Sequence, residues 1–189
     1  MINSYFLNQV SGKISQHVCE KLAELAVNVP PNGVILDLNC GEGRSTISMS
    51  MALTEAHNYD VSIMAVDTHI TNPLSSSPHE DGTLMKFLRN LRSNICLHRV
   101  VPMVMPSTKV LEVLNRKCAN LVVVQTRSAD TTTLSQHIEV AKFALRAKGT
   151  IAVCLDSPVG SLDFPATTFR MTYQSSELLV YESFRKGEA

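Results

Sequence analysis

The sequence lacks the cysteine pattern of a metal-binding or disulfide-bonded protein. Its five cysteines are scattered, odd in number and without any Cys-x-x-Cys pair. Such spacing argues against a structural zinc site and against a disulfide framework. Most of these cysteines stand in apolar runs, where a thiol behaves as a small hydrophobic side chain. We therefore predict no bound metal and a reducing, cytoplasmic setting.

The sequence also has no net charge, no basic leader and no apolar stretch long enough to span a bilayer. Lys+Arg and Asp+Glu both number 17, so the formal net charge is zero. No overall field then draws the protein toward nucleic acid or anionic lipid. Without a signal or membrane-spanning segment we expect no membrane partner, and the charge balance argues against a nucleic-acid partner.

Neither an internal repeat nor a dividing linker interrupts the 189 residues, and this length suits one domain, residues 1–189, with a buried core. Short apolar runs of β-favouring residues alternate with segments of helical periodicity. The predicted strands are residues 34–37, 61–66, 99–104, 121–124 and 150–155, followed by a hairpin of 167–173 and 177–184. This α/β alternation predicts one mostly parallel sheet with helices on both faces.

Capping residues indicate where some of the helices begin and end. Apolar spacing predicts helices at residues 13–29, 45–57 and 131–147, among others. Lys148 and Gly149 are predicted to follow the last of these as a cationic final turn and a glycine C-cap. Ser107 is predicted to cap the helix after the third strand.

The most informative stretch is residues 34–46. An apolar strand ends in Asp37, passes through a turn that contains Gly41 and Gly43, and opens directly into a helix. A second apolar strand ends in another acid, Asp67. In open α/β sheets a nucleotide approaches the backbone of such a turn and the helix N-terminus, while the second acid reaches the ribose hydroxyls. The pattern predicts a site for an adenosine-like cofactor.

The turn that begins at Asp37 reads D-L-N-C-G-E-G, the second strand ends A-V-D-T-H at His69, and a predicted antiparallel hairpin closes the chain. In these features, and in the order of its elements from residue 13 onward, the chain resembles the class I S-adenosylmethionine-dependent methyltransferases. The resemblance implies a three-layer, Rossmann-like methyltransferase fold, with a mostly parallel seven-stranded sheet and a C-terminal antiparallel hairpin. It also implies S-adenosylmethionine as the cofactor.

The resemblance further implies a role for each matching position. Asp37 would lie near the amino group of the cofactor's methionine, and Asp67 would bind the ribose hydroxyls. The other cofactor-binding residues implied are Asn39, Cys40, Gly41 and Gly43 in the turn, Thr68 or His69 beside the adenine, Ser107 on the adenine rim and Gln125 at the end of the fourth strand. For both acids the simpler alternative is that they cap a turn.

Two departures from the family pattern bear on the mechanism. Asn39 stands at the first glycine of the turn, although asparagine tolerates a positive φ better than most residues. Residues 124–128 read V-Q-T-R-S, where the small-molecule branch of the family carries acids and a histidine. Gln125 and Arg127 cannot supply the anionic ligands of a divalent metal. We therefore predict a metal-independent mechanism.

His69 and His79 flank a long loop near the expected methyl position, and either is a candidate catalytic base. The alternative for each is an ordinary solvated loop residue. We predict an enzyme that transfers a methyl group from S-adenosylmethionine to an O or N atom of a small-molecule or glycan-like acceptor. Its pocket is open or is completed by a second subunit in a homo-oligomer.

Two other functions stay open. One is a cofactor-binding or scaffold protein that keeps the fold without turnover. The other is a NAD-dependent oxidoreductase, because Gly41-x-Gly43 distantly resembles the dinucleotide fingerprint. The missing third glycine and the terminal hairpin count against the oxidoreductase.

Overall fold

The computed structural model describes residues 10–70, 83–126, 131–156, 162 and 164–184. In this part of the chain, helices alternate with strands and a two-stranded hairpin follows. The helices are α1 (Gln16–Val27), α2 (Arg44–Glu55), α3 (Thr83–Ser93) and α4 (Thr131–Ala144), with a short 3-10 helix at Ser107–Glu112. The strands are β1 (Val34–Leu38), β2 (Ser62–Asp67), β3 (Val100–Val104), β4 (Ala119–Gln125), β5 (Leu145–Cys154), β6 (Phe169–Gln174) and β7 (Leu178–Ser183).

The strands form one sheet in the order β3-β2-β1-β4-β5-β7-β6. Strands β1 to β5 pair in parallel, and β7 runs antiparallel to both β5 and β6. The order reverses between β1 and β4, and open α/β sheets bind ligands outside the carboxyl ends of the strands at such a switch point. The predicted fold class, including the C-terminal antiparallel hairpin, is confirmed.

Both faces of the sheet are buried, because consecutive residues of a strand point to opposite sides. Ile35 of β1 belongs to the core cluster that includes residues of α1, α2 and α3, whereas its neighbour Leu36 belongs to the cluster that includes α4. Leu121 and Val122 of β4 divide in the same way. Strands covered on both faces need continuous apolar runs, which is the pattern that the sequence shows.

Helix α1 begins where a serine can satisfy its first amides. The Ser15 hydroxyl accepts a hydrogen bond from the Val18 amide at 3.3 Å, so the helix starts at Gln16 rather than at residue 13. Its buried residues include Val18, Leu22 and Ala26, which recur at helical spacing and form the buried face of a helix that packs mainly against α2.

The prediction that Lys148 and Gly149 end a helix is wrong. Helix α4 ends at Ala144, and both residues lie inside β5, where the pairing of β5 with β4 is irregular. Lys148 has a φ of 62°. A Cβ on Gly149 would lie 2.8 Å from the carbonyl oxygen of Asn120, so this close approach of two strands requires glycine. The residues that commonly end a helix here form an irregularity in a strand.

The prediction that Ser107 caps a helix is also wrong. Pro106 occupies the cap position, and Ser107 is the first residue of the 3-10 helix. The Ser107 side chain is buried, and it makes tertiary hydrogen bonds instead of a local one. Its partners come from elements that the sequence could not place beside it.

Candidate functional site

The turn after β1 lies over the carboxyl end of the sheet and is left-handed at three positions. The φ values are 62° at Asn39, 57° at Gly41 and 95° at Gly43. The backbone amides of Asn39 and Cys40 donate to the carbonyl oxygen of Val66, at 2.8 and 3.2 Å. The end of β2 therefore holds this turn, and its two glycines stand where L side chains would be strained.

Asp37 is fully buried beneath the turn and is surrounded by hydrogen-bond donors. Its Oδ2 accepts from Ser45 Oγ at 2.6 Å and from Thr46 Oγ1 at 2.7 Å, and its Oδ1 accepts from Gln125 Nε2 at 3.0 Å. Burial raises the pKa of Asp37 above its ordinary value, although the three donors oppose that shift. The carboxyl group links the first turn of α2 to the end of β4. Its role near the cofactor stays a prediction.

Asp67 ends β2 and bonds the backbone at two places. Its Oδ2 accepts from the Gly41 amide at 2.9 Å, and its Oδ1 accepts from the His69 amide at 2.8 Å. The residue is only 2% exposed. Because a carboxylate offers about four acceptor positions, it can accept further donors beside these two amides. Binding of ribose hydroxyls by Asp67 stays a prediction.

A cavity of about 480 Å³ opens at the carboxyl ends of β1, β4 and β5, beside the switch point. Asn39, Cys40 and Gly41 line it on the β1 side, and Gln125 lines it on the β4 side. Small-molecule sites in proteins span about 300–1,000 Å³, so the volume suits such a ligand. The predicted residues outside its described lining are Asp37, Gly43, Asp67, Thr68, His69 and Ser107.

Residues 11–14, which we call the strap, form a further wall of the cavity. Lys13 Nζ lies 3.1 Å from Asp156 Oδ2 at the end of β5. The Ser11 hydroxyl donates to the Glu42 carboxylate in the turn after β1. The sequence analysis missed the strap because these contacts join residues far apart in the chain, and no local pattern marks them.

No protein-family model matches the sequence, and no curated protein is significantly similar to it. Solved structures do match. A candidate rRNA methylase from Clostridium thermocellum shares 14% identity with a TM-score of 0.64, over 92% of this chain and 99% of that one. An S-adenosylmethionine-dependent O-methyltransferase from Thermotoga maritima has 14% sequence identity and a TM-score of 0.60, and the match covers 97% of this chain and 71% of that one. An rRNA methylase from Streptococcus thermophilus has 13% sequence identity and a TM-score of 0.60, and the match covers 89% of this chain and 95% of that one. The chain has the class I methyltransferase fold.

Identities this low establish the fold alone. The resemblance that the turn and the hairpin indicated is therefore confirmed, whereas the reaction and the acceptor need a separate argument. The three proteins themselves carry different descriptions, since two are described as rRNA methylases and one as an O-methyltransferase.

Asn39 stands where the family's turn has its first glycine, and its side chain makes two hydrogen bonds. Its Nδ2 donates to the backbone carbonyl of Gln125 at 2.9 Å, and its Oδ1 accepts from Ser107 Oγ at 2.6 Å. A glycine could make neither bond. The asparagine thus connects the turn to the end of β4 and to the 3-10 helix.

Of the two predicted catalytic histidines, the structure describes His69. His69 has a φ of 51°, and its buried ring lies 5.1 Å from the ring of Phe87, centroid to centroid. The neighbouring Thr68 is half-buried, and its hydroxyl lies 3.5 Å from the Ile70 amide. His79 lies outside the described residues. A catalytic role for either histidine stays a prediction.

Cys40 and Cys154 both line the cavity. Burial raises the pKa of Cys154 well above its ordinary value, so this thiol is neutral and is part of the cavity wall rather than a nucleophile.

Among the residues that the structure describes, no group of three or more His, Cys, Asp or Glu side chains is placed to hold a metal ion. In the same part of the chain, no helix has the length and apolar character needed to cross a membrane.

We expect Gly43→Ala to lower the free energy of unfolding by about 1–3 kcal/mol. A residue with a Cβ is strained at this φ of 95°, and the added atom would lie 2.9 Å from Phe87 Cδ2. Urea unfolding measures the loss. The exposed-turn variant Asp60→Ala is the control and should change stability by less than about 0.5 kcal/mol. Equal stabilities for the two variants would contradict the left-handed geometry.

Proposed function

We propose that the chain is a metal-independent S-adenosylmethionine-dependent methyltransferase whose 189 residues form one domain. Its acceptor is an O or N atom of a small-molecule or glycan-like compound. The observation that carries this proposal is the 480 Å³ cavity, which lies beside the switch point and is walled by the left-handed turn after β1. The fold, the turn and the cavity together suit a nucleoside-containing cofactor.

The residues of the site fit this cofactor in part. Gly41 lines the cavity and has no side chain, so a ligand can approach the backbone of the turn there, whereas a Cβ on Gly43 would meet Phe87 instead. Asp67 can accept ribose hydroxyls, but its exposure of 2% means that covering groups must move before they reach it. Asp37 is fully buried and lies outside the described lining of the cavity. Gln125, which bonds Asp37 and also lines the cavity, would face the ligand in its place.

The bound cofactor supplies a methyl group already activated on a sulfonium, so the protein contributes alignment and exclusion of water rather than acid–base groups. The strap and the turn close two sides of the cavity, and the ion pair of Lys13 with Asp156 joins the strap to the end of β5. A strap at this position restricts the space for an acceptor. Together with the zero net charge, it favours a small acceptor over a nucleic acid.

One observation favours a second candidate, a protein that keeps the fold without turnover. Both Asp67 oxygens already bond backbone amides and the residue is only 2% exposed, while Asp37 is fully buried. In such a protein, both acids would serve only the geometry of the turn.

Calorimetric titration with S-adenosylmethionine, S-adenosylhomocysteine and NAD(H) distinguishes these functions. We expect micromolar binding of the first two ligands and no binding of NAD(H). Binding of NAD(H) alone would indicate the oxidoreductase. A folded protein that binds none of the three would contradict the proposal and support the scaffold alternative.

A further inference from the structure

Three buried side chains connect helix α4 to the turn after β1. His137 of α4 places Nε2 2.8 Å from Ser107 Oγ, and Ser107 Oγ lies 2.6 Å from Asn39 Oδ1. His137 is 5% exposed and Ser107 is 4% exposed, so water does not compete strongly for these bonds. His137 and Ser107 lie outside the described lining of the cavity, whereas Asn39 is part of it.

The direction of each hydrogen bond follows from counting donors. Asn39 Nδ2 lies 2.9 Å from the carbonyl oxygen of Gln125, which can only accept, so the amide nitrogen faces Gln125 and Oδ1 faces Ser107. Oδ1 carries no proton, so the single hydroxyl proton of Ser107 is donated to it. The Ser107 oxygen must then accept from His137, and this requires a proton on Nε2. Burial lowers the pKa of His137 and so favours its neutral ring, in which the hydrogen bond to Ser107 assigns the single proton to Nε2.

The chain of bonds ends on Asn39, the non-glycine residue of the turn that has a positive φ. Asn39 has a φ of 62°, a conformation that costs a side-chain-bearing residue free energy. Its amide side chain is held by Gln125 on one side and by Ser107 on the other. Without the Ser107 hydrogen bond, the turn would keep its backbone bonds to Val66 but would lose one of the two contacts that orient the Asn39 side chain.

We propose that His137 is a positioning residue for the cofactor turn, acting through Ser107 to fix the orientation of Asn39. This inference rests on the proposed function, since it assumes that the turn binds the cofactor. His137 itself touches no ligand. Its removal weakens cofactor binding, and the loss disappears when Asn39 has no side chain to orient.

The test is a double-mutant cycle read by calorimetry with S-adenosylhomocysteine. We expect His137→Leu to weaken binding about tenfold, the size of effect that contacting residues in one network show. His137→Gln keeps a donor near the position of Nε2 and should stay within about twofold of the unaltered chain. In the Asn39→Gly background, His137→Leu should cause no further loss. A merely structural role of His137 would neither be rescued by glutamine nor depend on Asn39.

The outcomes separate the two proposals. If the unaltered chain binds neither S-adenosylmethionine nor S-adenosylhomocysteine, the proposed function fails and this inference fails with it. If the unaltered chain binds and folded His137→Leu binds equally well, or loses the same factor in the Asn39→Gly background, the inference alone is overturned. Should His137→Leu not fold, Ser107→Ala removes only a hydroxyl and breaks the same chain of bonds, with the same expected results. A long-range proton–nitrogen spectrum of His137 that shows a protonated Nδ1 and a bare Nε2 would also overturn the inference.

Discussion

Asp37→Ala is expected to lower the free energy of unfolding by about 3–5 kcal/mol, because an unsatisfied buried donor costs about 1–3 kcal/mol. The substitution removes the acceptor of three donors at once, namely Ser45 Oγ, Thr46 Oγ1 and Gln125 Nε2. Asp37, Ser45 and Thr46 are fully buried, so water does not reach the two hydroxyls without opening the structure. Gln125 is half-buried beside the cavity, and its Nε2 also donates to Ser45 Oγ at 2.7 Å. The two hydroxyls can rotate toward other acceptors, which keeps the expected loss below the sum of three separate penalties.

Urea unfolding at a fixed pH measures this loss, and Asp60→Ala provides a matched control in which an exposed aspartate is removed. The control should change stability by less than about 0.5 kcal/mol. A loss below about 1 kcal/mol for Asp37→Ala would mean that the three donors find other partners. The carboxyl group would then not link α2 to β4.

The pH dependence of the same experiment has a defined sign. Burial raises the folded-state pKa of Asp37 above the ordinary value of 3.8, so the folded protein holds this proton more tightly than the unfolded chain does. The stability that Asp37 contributes is therefore greatest below pH 3.8 and is lost as the pH rises through the raised pKa. Asp37→Asn does not titrate, so the stability difference between the original protein and this variant should shrink over that range and then level off.

Asp37 also shows how far the sequence could predict the site. The strand-end acid, the glycine turn and the following helix were recognisable locally, and all three exist. Which way the carboxyl group points is decided by Ser45, Thr46 and Gln125, and Gln125 lies 88 residues away along the chain. A residue type and its spacing do not reveal whether an acid at a strand end faces a ligand or its own scaffold.

The fold was more predictable than the site, because continuous apolar runs mark buried parallel strands wherever they pair. The errors arose where one local pattern suits two structures. Lys148 and Gly149 look like a helix end, yet they lie in an irregular part of β5. The strap was invisible for a different reason, since Lys13 meets Asp156 only after the sheet has formed.

Asp67→Ala is expected to weaken binding of S-adenosylhomocysteine by about 100-fold or more, because a hydrogen bond to a charged group contributes about 1.5–3 kcal/mol and two ribose hydroxyls would be lost. The substitution also removes the acceptor of the Gly41 and His69 amides, so the turn itself loosens. Calorimetry would therefore record a direct and an indirect loss together. Asp60→Asn, which removes an exposed charge elsewhere, should leave the affinity unchanged.

A ligand that lacks the 2′- and 3′-hydroxyls of the ribose separates the two losses. If Asp67 binds the hydroxyls directly, this analogue binds the unaltered chain weakly, and Asp67→Ala reduces its affinity far less than that of S-adenosylhomocysteine. If Asp67 acts only by holding Gly41 and His69, both ligands lose affinity by the same factor. The second outcome would assign the acid to the geometry of the turn, which is the role its present hydrogen bonds already show. The cofactor would then have to hold its ribose by the backbone of the turn, and the case for turnover would rest on the cavity and the fold.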